Sequence, residues 1–286
     1  MKYLIIGKHG QLAKEFQRLL TLKGEEFVAL SHEEADVRDY EKLREVFLSY
    51  RPGVVINCSA YNQVDKAESD YEEAMKVNAL GPYNLALLCR EHGSFLVHYS
   101  TDYVFDGSKR EGLYTEEDQA NPINKYGLSK LLGERFAVQV VDNMLLLRVS
   151  WVFGEGKQNF VNKVLSWAKE RDQLQISADE VSVPTWARRI ALISYEAIRE
   201  SITGLYHLVS SGYASRYEWA KEILRLCHKD KLVVPVPADV FDLLAKRPKF
   251  SAMSNERISK ELGVSIPTWE GDLKEYLKEY LEEATY

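Results

Sequence analysis

The chain predicts an α/β fold in which a doubly wound parallel sheet is followed by a smaller C-terminal α/β lobe. Three observations carry that expectation. Short β-branched runs alternate with segments of helical period from the first residues onward. A glycine-spaced turn, Gly7-Lys8-His9-Gly10, joins the first such run to the first helical segment. After Phe153-Gly154 the texture changes to shorter runs richer in Pro, Trp and Tyr.

In order, strands are expected at residues 3–6, 27–30, 54–58, 95–100 and 144–152, with helices at 12–23, 40–50, 67–91 and 126–140 between them. Strands separated by helices of this length pair in parallel through right-handed crossovers, which gives a Rossmann-type sheet over residues 1–153. Residues 154–286 are expected to form mainly a substrate-binding lobe, some of whose segments return to the first domain. That lobe should hold a strand at 204–209, a helix at 217–226, the Pro-spaced segment 233–237 and a closing amphipathic helix at 272–283. There is no internal repeat and no low-complexity linker.

The composition excludes several function classes. With 286 residues, 45% hydrophobic and 28% charged, the chain can build a large core, yet no apolar run approaches the roughly 20 residues that span a bilayer. The first residues read as a strand and not as a signal peptide, so a cytoplasmic location is expected. A net charge of −6 offers no footprint for nucleic acid. The three cysteines, Cys58, Cys89 and Cys227, lack metal-knuckle or disulfide spacing and are expected as buried thiols. No cluster of ligands announces a metal. The oligomeric state stays open, a homodimer being compatible with everything above.

The turn at Gly7 and Gly10 is a candidate cofactor cradle. Glycines there permit backbone conformations closed to other residues and let a pyrophosphate approach the amides that open the helix. The second strand ends about 20 residues on, at Ser31, where an acid would hold a ribose 2′-hydroxyl and favour NAD. Serine leaves room for a 2′-phosphate and favours NADPH, with NADH as the other choice. Asp36 and Val37 are placed to border the adenine.

The candidate chemistry lies at Tyr126 and Lys130, an i, i+4 pair that aims both heads at one point. A phenol is a poor acid–base catalyst at neutral pH unless a cation favours its phenolate, and an ammonium one turn away is expected to do so. With 17 tyrosines in the chain this spacing also arises by chance, and it recurs at Tyr217 and Lys221, which read as surface and core filler. Tyr126 instead follows a strand ending in Ser100-Thr101-Asp102. Hydroxyls at the C-terminal end of a parallel strand face the ligand crevice, which places Thr101 beside a reacting carbonyl.

These motifs, with Cys58-Ser59-Ala60-Tyr61-Asn62-Gln63-Val64-Asp65, Val77-Asn78-Ala79, Arg148-Val149-Ser150-Trp151 and Val183-Pro184-Thr185, resemble the dTDP-4-dehydrorhamnose reductases, extended short-chain dehydrogenases, over nearly the whole chain. The resemblance implies NAD(P)H-dependent reduction of the 4-keto group of a nucleotide-linked deoxysugar, giving dTDP-L-rhamnose. It further implies Tyr126 as proton donor, Lys130 as ribose anchor and Thr101 as carbonyl orienter. Gly10, Gln11 and Leu12 would meet the pyrophosphate, Ala60, Tyr61 and Asn62 would line the cofactor, and Asp102 and Trp151 would touch the sugar. The chain departs from the family pattern at Ala13, Glu180, Val183 and Arg189, the last three in the late lobe. Two other readings share the fold: an epimerase or dehydratase that keeps its nicotinamide bound, and a non-catalytic NADP-binding regulatory subunit.

Overall fold

The segment Lys2–Ile6 is apolar after its first residue and forms β1, with its last four side chains buried. A strand covered on both faces reads this way because helices lie above and below it. In the computed structural model, which describes residues 1–156 and 159–283, β1 is followed by α1 (Gln11–Lys23), β2 (Glu26–Leu30), α2 (Tyr40–Tyr50) and β3 (Val54–Asn57). Next come the short helices α3 (Lys66–Ser69) and α4 (Tyr71–Met75), a π-turn (Lys76–Leu80), α5 (Gly81–His92), β4 (Phe95–Thr101), α6 (Lys125–Val138) and β5 (Met144–Val149). The second half runs β6 (Val152–Phe153), α7 (Phe160–Glu170), β7 (Gln173–Ser177), β8 (Val181–Ser182), β9 (Thr185–Trp186), α8 (Ala187–Arg199) and β10 (Gly204–His207). It closes with β11 (Ala214–Ser215), α9 (Arg216–Leu226), β12 (Leu232–Val236), α10 (Glu256–Leu262) and α11 (Trp269–Glu283).

The main sheet has the order β2-β1-β3-β4-β5-β10, and every neighbouring pair is parallel. Chain direction across the sheet reverses between β1 and β3, and a crevice opens at the carboxyl ends of strands at such a point. Phe16, Leu19 and Leu20 of α1 pack with Ile190 and Ile198 of α8 on one face. Leu43 and Phe47 of α2 pack with Leu85 and Leu88 of α5 on the other. Each such buried side chain contributes about 1.5–3 kcal/mol, several times an exposed ion pair like Lys2–Glu26, so apolar faces fix the helices to the sheet.

Two differences from the expected elements have physical causes. The single helix expected at 67–91 is broken at Asp70 and carries the π-turn, whose Asn78 both accepts from the Tyr61 amide (2.8 Å) and donates to the Tyr61 carbonyl (3.0 Å). The strand expected at 144–152 stops at Val149 because Trp151 takes a left-handed backbone, φ +39°, before β6 pairs with β9. Residues 187–209 return to the main domain: α8 lies on α1, and β10, within the segment expected at 204–209, is the edge strand beside β5. Helix α10 also packs on the main core through Ile258, while among the described residues β6–β9, β7–β12 and β8–β11 form small pairings beside a separate aromatic core of Phe153, Trp186, Trp219 and Tyr276. Residues 157, 158 and 284–286 of the expected lobe lie outside the described residues. Among those described, no helix is long and apolar enough to cross a membrane. Of the cysteines expected as buried thiols, Cys89 is buried, whereas Cys58 and Cys227 are half-buried; none is paired.

Candidate active site

The glycine turn is forced by close approach. Gly7 has φ +91°, and a Cβ there would lie 3.0 Å from the Cys58 carbonyl carbon and the Ser59 amide at the end of β3. Gly10 caps α1 without a side-chain hydrogen bond, and the first turn holds no acid. Helix-opening amides need partners, and with the capping position bare an anion can supply them.

Helix α6 is seated by two glycines. At Gly127 a Cβ would lie 2.1 Å from the Tyr103 carbonyl oxygen, and at Gly133 one would lie 2.0 Å from the carbonyl oxygen of Asn78. Between them Ser129 accepts from Asn78 Nδ2 at 3.0 Å, and Asn124 caps the helix by accepting from the Gly127 amide at 2.7 Å. This seam turns Tyr126 and Lys130 together into a cleft of about 750 Å³ whose wall also includes Thr101.

The electrostatics differ from the sequence expectation in one respect. Lys130 is 2% exposed, and burial pulls its ammonium down to about 8, while its Nζ donates to the Tyr99 carbonyl at 2.6 Å. Tyr126 is half-buried, its ring edge-on to Tyr103 at 5.9 Å. Burial pushes its phenol well above the ordinary value, the Thr101 hydroxyl pulls the other way, and the nearby Asp102 carboxylate adds to the rise. The expected lowering by the lysine one turn away is not what is found: the phenol is raised, and Tyr126 holds its proton at neutral pH.

Gly10, Gln11, Leu12, Ala60, Asn62, Thr101, Asp102, Tyr126, Lys130 and Trp151 all line this cleft. Gly7, Ser31, Asp36, Val37 and Tyr61 stand outside its wall. Gly7 shapes the turn behind it, and the Tyr61 hydroxyl donates to Asp70 at 3.2 Å. The Ser31 amide donates to Glu34 at 2.8 Å, Asp36 is clamped by Arg38 at 2.6 Å, and Val37 is buried. Asp102 is 2% exposed, and its carboxylate accepts from Ser251 (2.6 Å), Ser182 (2.8 Å) and Thr101 (3.2 Å), tying the end of β4 to β8 and the C-terminal segment. Burial raises that carboxyl against these hydroxyls.

Further charged groups complete the cleft walls. Arg247 reaches across 182 residues to pair with Asp65 at 2.6 Å, and the two share one wall. Lys163 lines the cleft and a second cavity of about 300 Å³ that opens beside Trp151 and is walled by Phe160, Trp167, Trp219 and Arg216. No spacing rule singles out Lys163 or Arg216. The departures at Val183 and Arg189 lie away from the cleft: Val183 is fully buried core, and Arg189 pairs with the buried Asp272 at 2.9 Å. Glu180 stands 3.9 Å from Arg216, which lines the second cavity.

The residues fit a dinucleotide. Besides the bare amides of α1, two buried acceptors in the cleft wall, Gln11 Oε1 and Ser100 Oγ, have no hydrogen-bond partner among the described residues.

Comparison with known proteins agrees. The family model described as the RmlD substrate binding domain matches residues 1–282. A dTDP-4-dehydrorhamnose reductase of Burkholderia thailandensis is 36% identical, with 94% of this chain and 95% of that protein covered. A crystal structure of a dTDP-4-dehydrorhamnose reductase from Clostridium acetobutylicum superposes with TM-score 0.95 at 36% identity, covering 98% of this chain and 100% of the other. One from Bacillus anthracis, in complex with NADP, gives 0.93 at 32% identity, covering 97% and 99%. On these motifs, this geometry and these relatives, the chain belongs to the dTDP-4-dehydrorhamnose reductase family.

Proposed function

We propose that this protein reduces the 4-keto group of dTDP-4-dehydro-L-rhamnose to dTDP-L-rhamnose with NADPH. The observation that carries the reading is the convergence of Thr101, Tyr126 and Lys130 on the cleft into which α1 opens. When bound, NADPH supplies the hydride to C4 of the sugar. Tyr126 keeps its proton until the carbonyl oxygen gains charge and then donates it, so its raised pKa suits a donor. The Thr101 hydroxyl stands beside that phenol and orients the same oxygen, and it can steady the phenolate left behind. Lys130 presents its ammonium from the same face of α6, one turn on, where it holds ribose hydroxyls. The backbone of Gln11 and Leu12 meets the pyrophosphate, and Ala60 and Asn62 border the cofactor. Trp151 walls the sugar, and Lys163 with the aromatic lining of the second cavity accommodates a nucleoside diphosphate.

The test follows NADPH oxidation against a panel of nucleotide-linked 4-keto sugars. Oxidation that depends on the dTDP-linked 4-keto-6-deoxy sugar is expected. Sugar conversion without added NADPH, by protein carrying stoichiometric nicotinamide, would overturn the reading in favour of an epimerase.

A further inference from the structure

We propose that Arg216 is a positioning residue, which holds the Trp151 indole as the wall between the cleft and the second cavity. Trp151 has φ +39°, a left-handed backbone that a large L-residue rarely adopts and that persists only where surroundings over-determine it. What surrounds its ring is specific. The Arg216 guanidinium lies 3.6 Å from the ring centroid, and Trp219 stacks nearly parallel to that ring, 12° between planes with centroids 5.7 Å apart. The same guanidinium lies 5.0 Å from Phe160 and 5.6 Å from Trp219. Its ion pair is weaker by geometry, for Glu180 stands 3.9 Å away, and the Tyr103 hydroxyl is a further polar neighbour of the guanidinium.

Two further features argue that this placement serves the site. Arg216 opens α9, where the helix dipole disfavours a cation, so helix stability does not explain an arginine there. Its backbone is fixed on both sides, by the β8–β11 pairing and by the capping box of Ser215 and Glu218. A rigid base thus carries a flat cation onto a strained tryptophan that lines both cavities. A lysine supplies the charge but not the planar stack.

The experiment uses the full-length chain with Arg216→Met and Arg216→Lys, each also in a Trp151→Phe background. Near-UV circular dichroism reads the Trp151–Trp219 stack without any substrate, and far-UV spectra show which variants fold. The kinetic arm, which rests on the reductase reading, measures kcat and KM for dTDP-4-dehydro-L-rhamnose at saturating NADPH. Arg216→Met should change the near-UV spectrum and raise that KM about tenfold with kcat within about threefold, Arg216→Lys should fall between, and in the Trp151→Phe background the effect should shrink below about twofold. An unchanged near-UV spectrum in a folded Arg216 variant, or an equal KM effect in the Trp151→Phe background, overturns the proposal. Absence of turnover by the unsubstituted protein would instead overturn the reductase reading, leaving the spectral arm to decide on Arg216.

Discussion

Two helices of this protein carry the same four-residue spacing of tyrosine and lysine, and only one of them faces the cleft. In α6, Lys130 is buried and Tyr126 lines the cleft wall. In α9, Lys221 is exposed, and its ammonium lies 5.3 Å from the ring of its own Tyr217. The difference is not in the spacing but in what the helix lies against. One and seven positions after Tyr126 stand Gly127 and Gly133, which let backbone carbonyls approach; the corresponding positions after Tyr217 are Glu218 and Leu224. A tyrosine–lysine pair becomes chemical only when the helix is held close enough to bury the lysine.

Removing the two phenolic hydroxyls should break the comparison most sharply. Tyr126→Phe deletes the proton donor and should lower kcat about 10³-fold while leaving NADPH affinity nearly intact, because little surface is lost. Tyr217→Phe should change kcat less than twofold. NADPH oxidation and a direct NADPH titration on both variants check this, and retention of most of kcat by Tyr126→Phe would remove the phenol from the mechanism.

Next in size is the seam itself. Gly127→Ala forces a Cβ to within 2.1 Å of the Tyr103 carbonyl oxygen, which is backbone and cannot swing away. Overpacking of this kind costs about 2–3 kcal/mol, read as a lower urea midpoint, and should reduce kcat because Tyr126 is the neighbouring residue. Glu218→Ala in α9 removes half of a capping box and should cost about 1 kcal/mol while leaving kcat within about threefold. Equal kcat loss in the two would mean that the seating of α6 is not what separates the helices.

The same contrast explains what could be read from sequence. Gly7, Gly10, Thr101, Tyr126 and Lys130 were legible because local order places them at strand ends and on one helix face, where a parallel sheet opens. The direction of the Tyr126 pKa was not, since it depends on burial and on Asp102, while the Lys130 Nζ is turned to the Tyr99 carbonyl. Arg247 with Asp65, and Arg216 with Trp151, join segments far apart in the chain, so no spacing announces them. The π-turn within the helix expected at 67–91 likewise depends on Asn78 finding partners in the 61 backbone and at Ser129.

A pH series sharpens the comparison further. Burial holds Lys130 at about 8, below its ordinary value, so its ammonium is lost as pH rises through about 8. NADPH affinity should therefore fall on an alkaline limb starting near pH 8, a limb missing from Lys130→Met, which binds weakly throughout. Stability runs the other way. Between about pH 8 and the ordinary lysine value the unfolded chain binds the extra proton, so this group's contribution to stability rises with pH and is lowest below 8. Isothermal titration at fixed ionic strength and urea melts over the same pH range check both signs.

The smallest effect belongs to the lysine of α9. Its contact with Tyr217 is an exposed cation–π pair within one helix, a class worth about 0.5–1 kcal/mol, part of which a methionine stem recovers by covering the same ring. Lys221→Met should thus shift stability by no more than about 0.5 kcal/mol in a urea melt and leave NADPH affinity and kcat within error of the parent. Were it instead to weaken NADPH binding as Lys130→Met does, the ammonium would matter through long-range charge rather than through contact. Burial of the lysine would then no longer be what distinguishes the two helices.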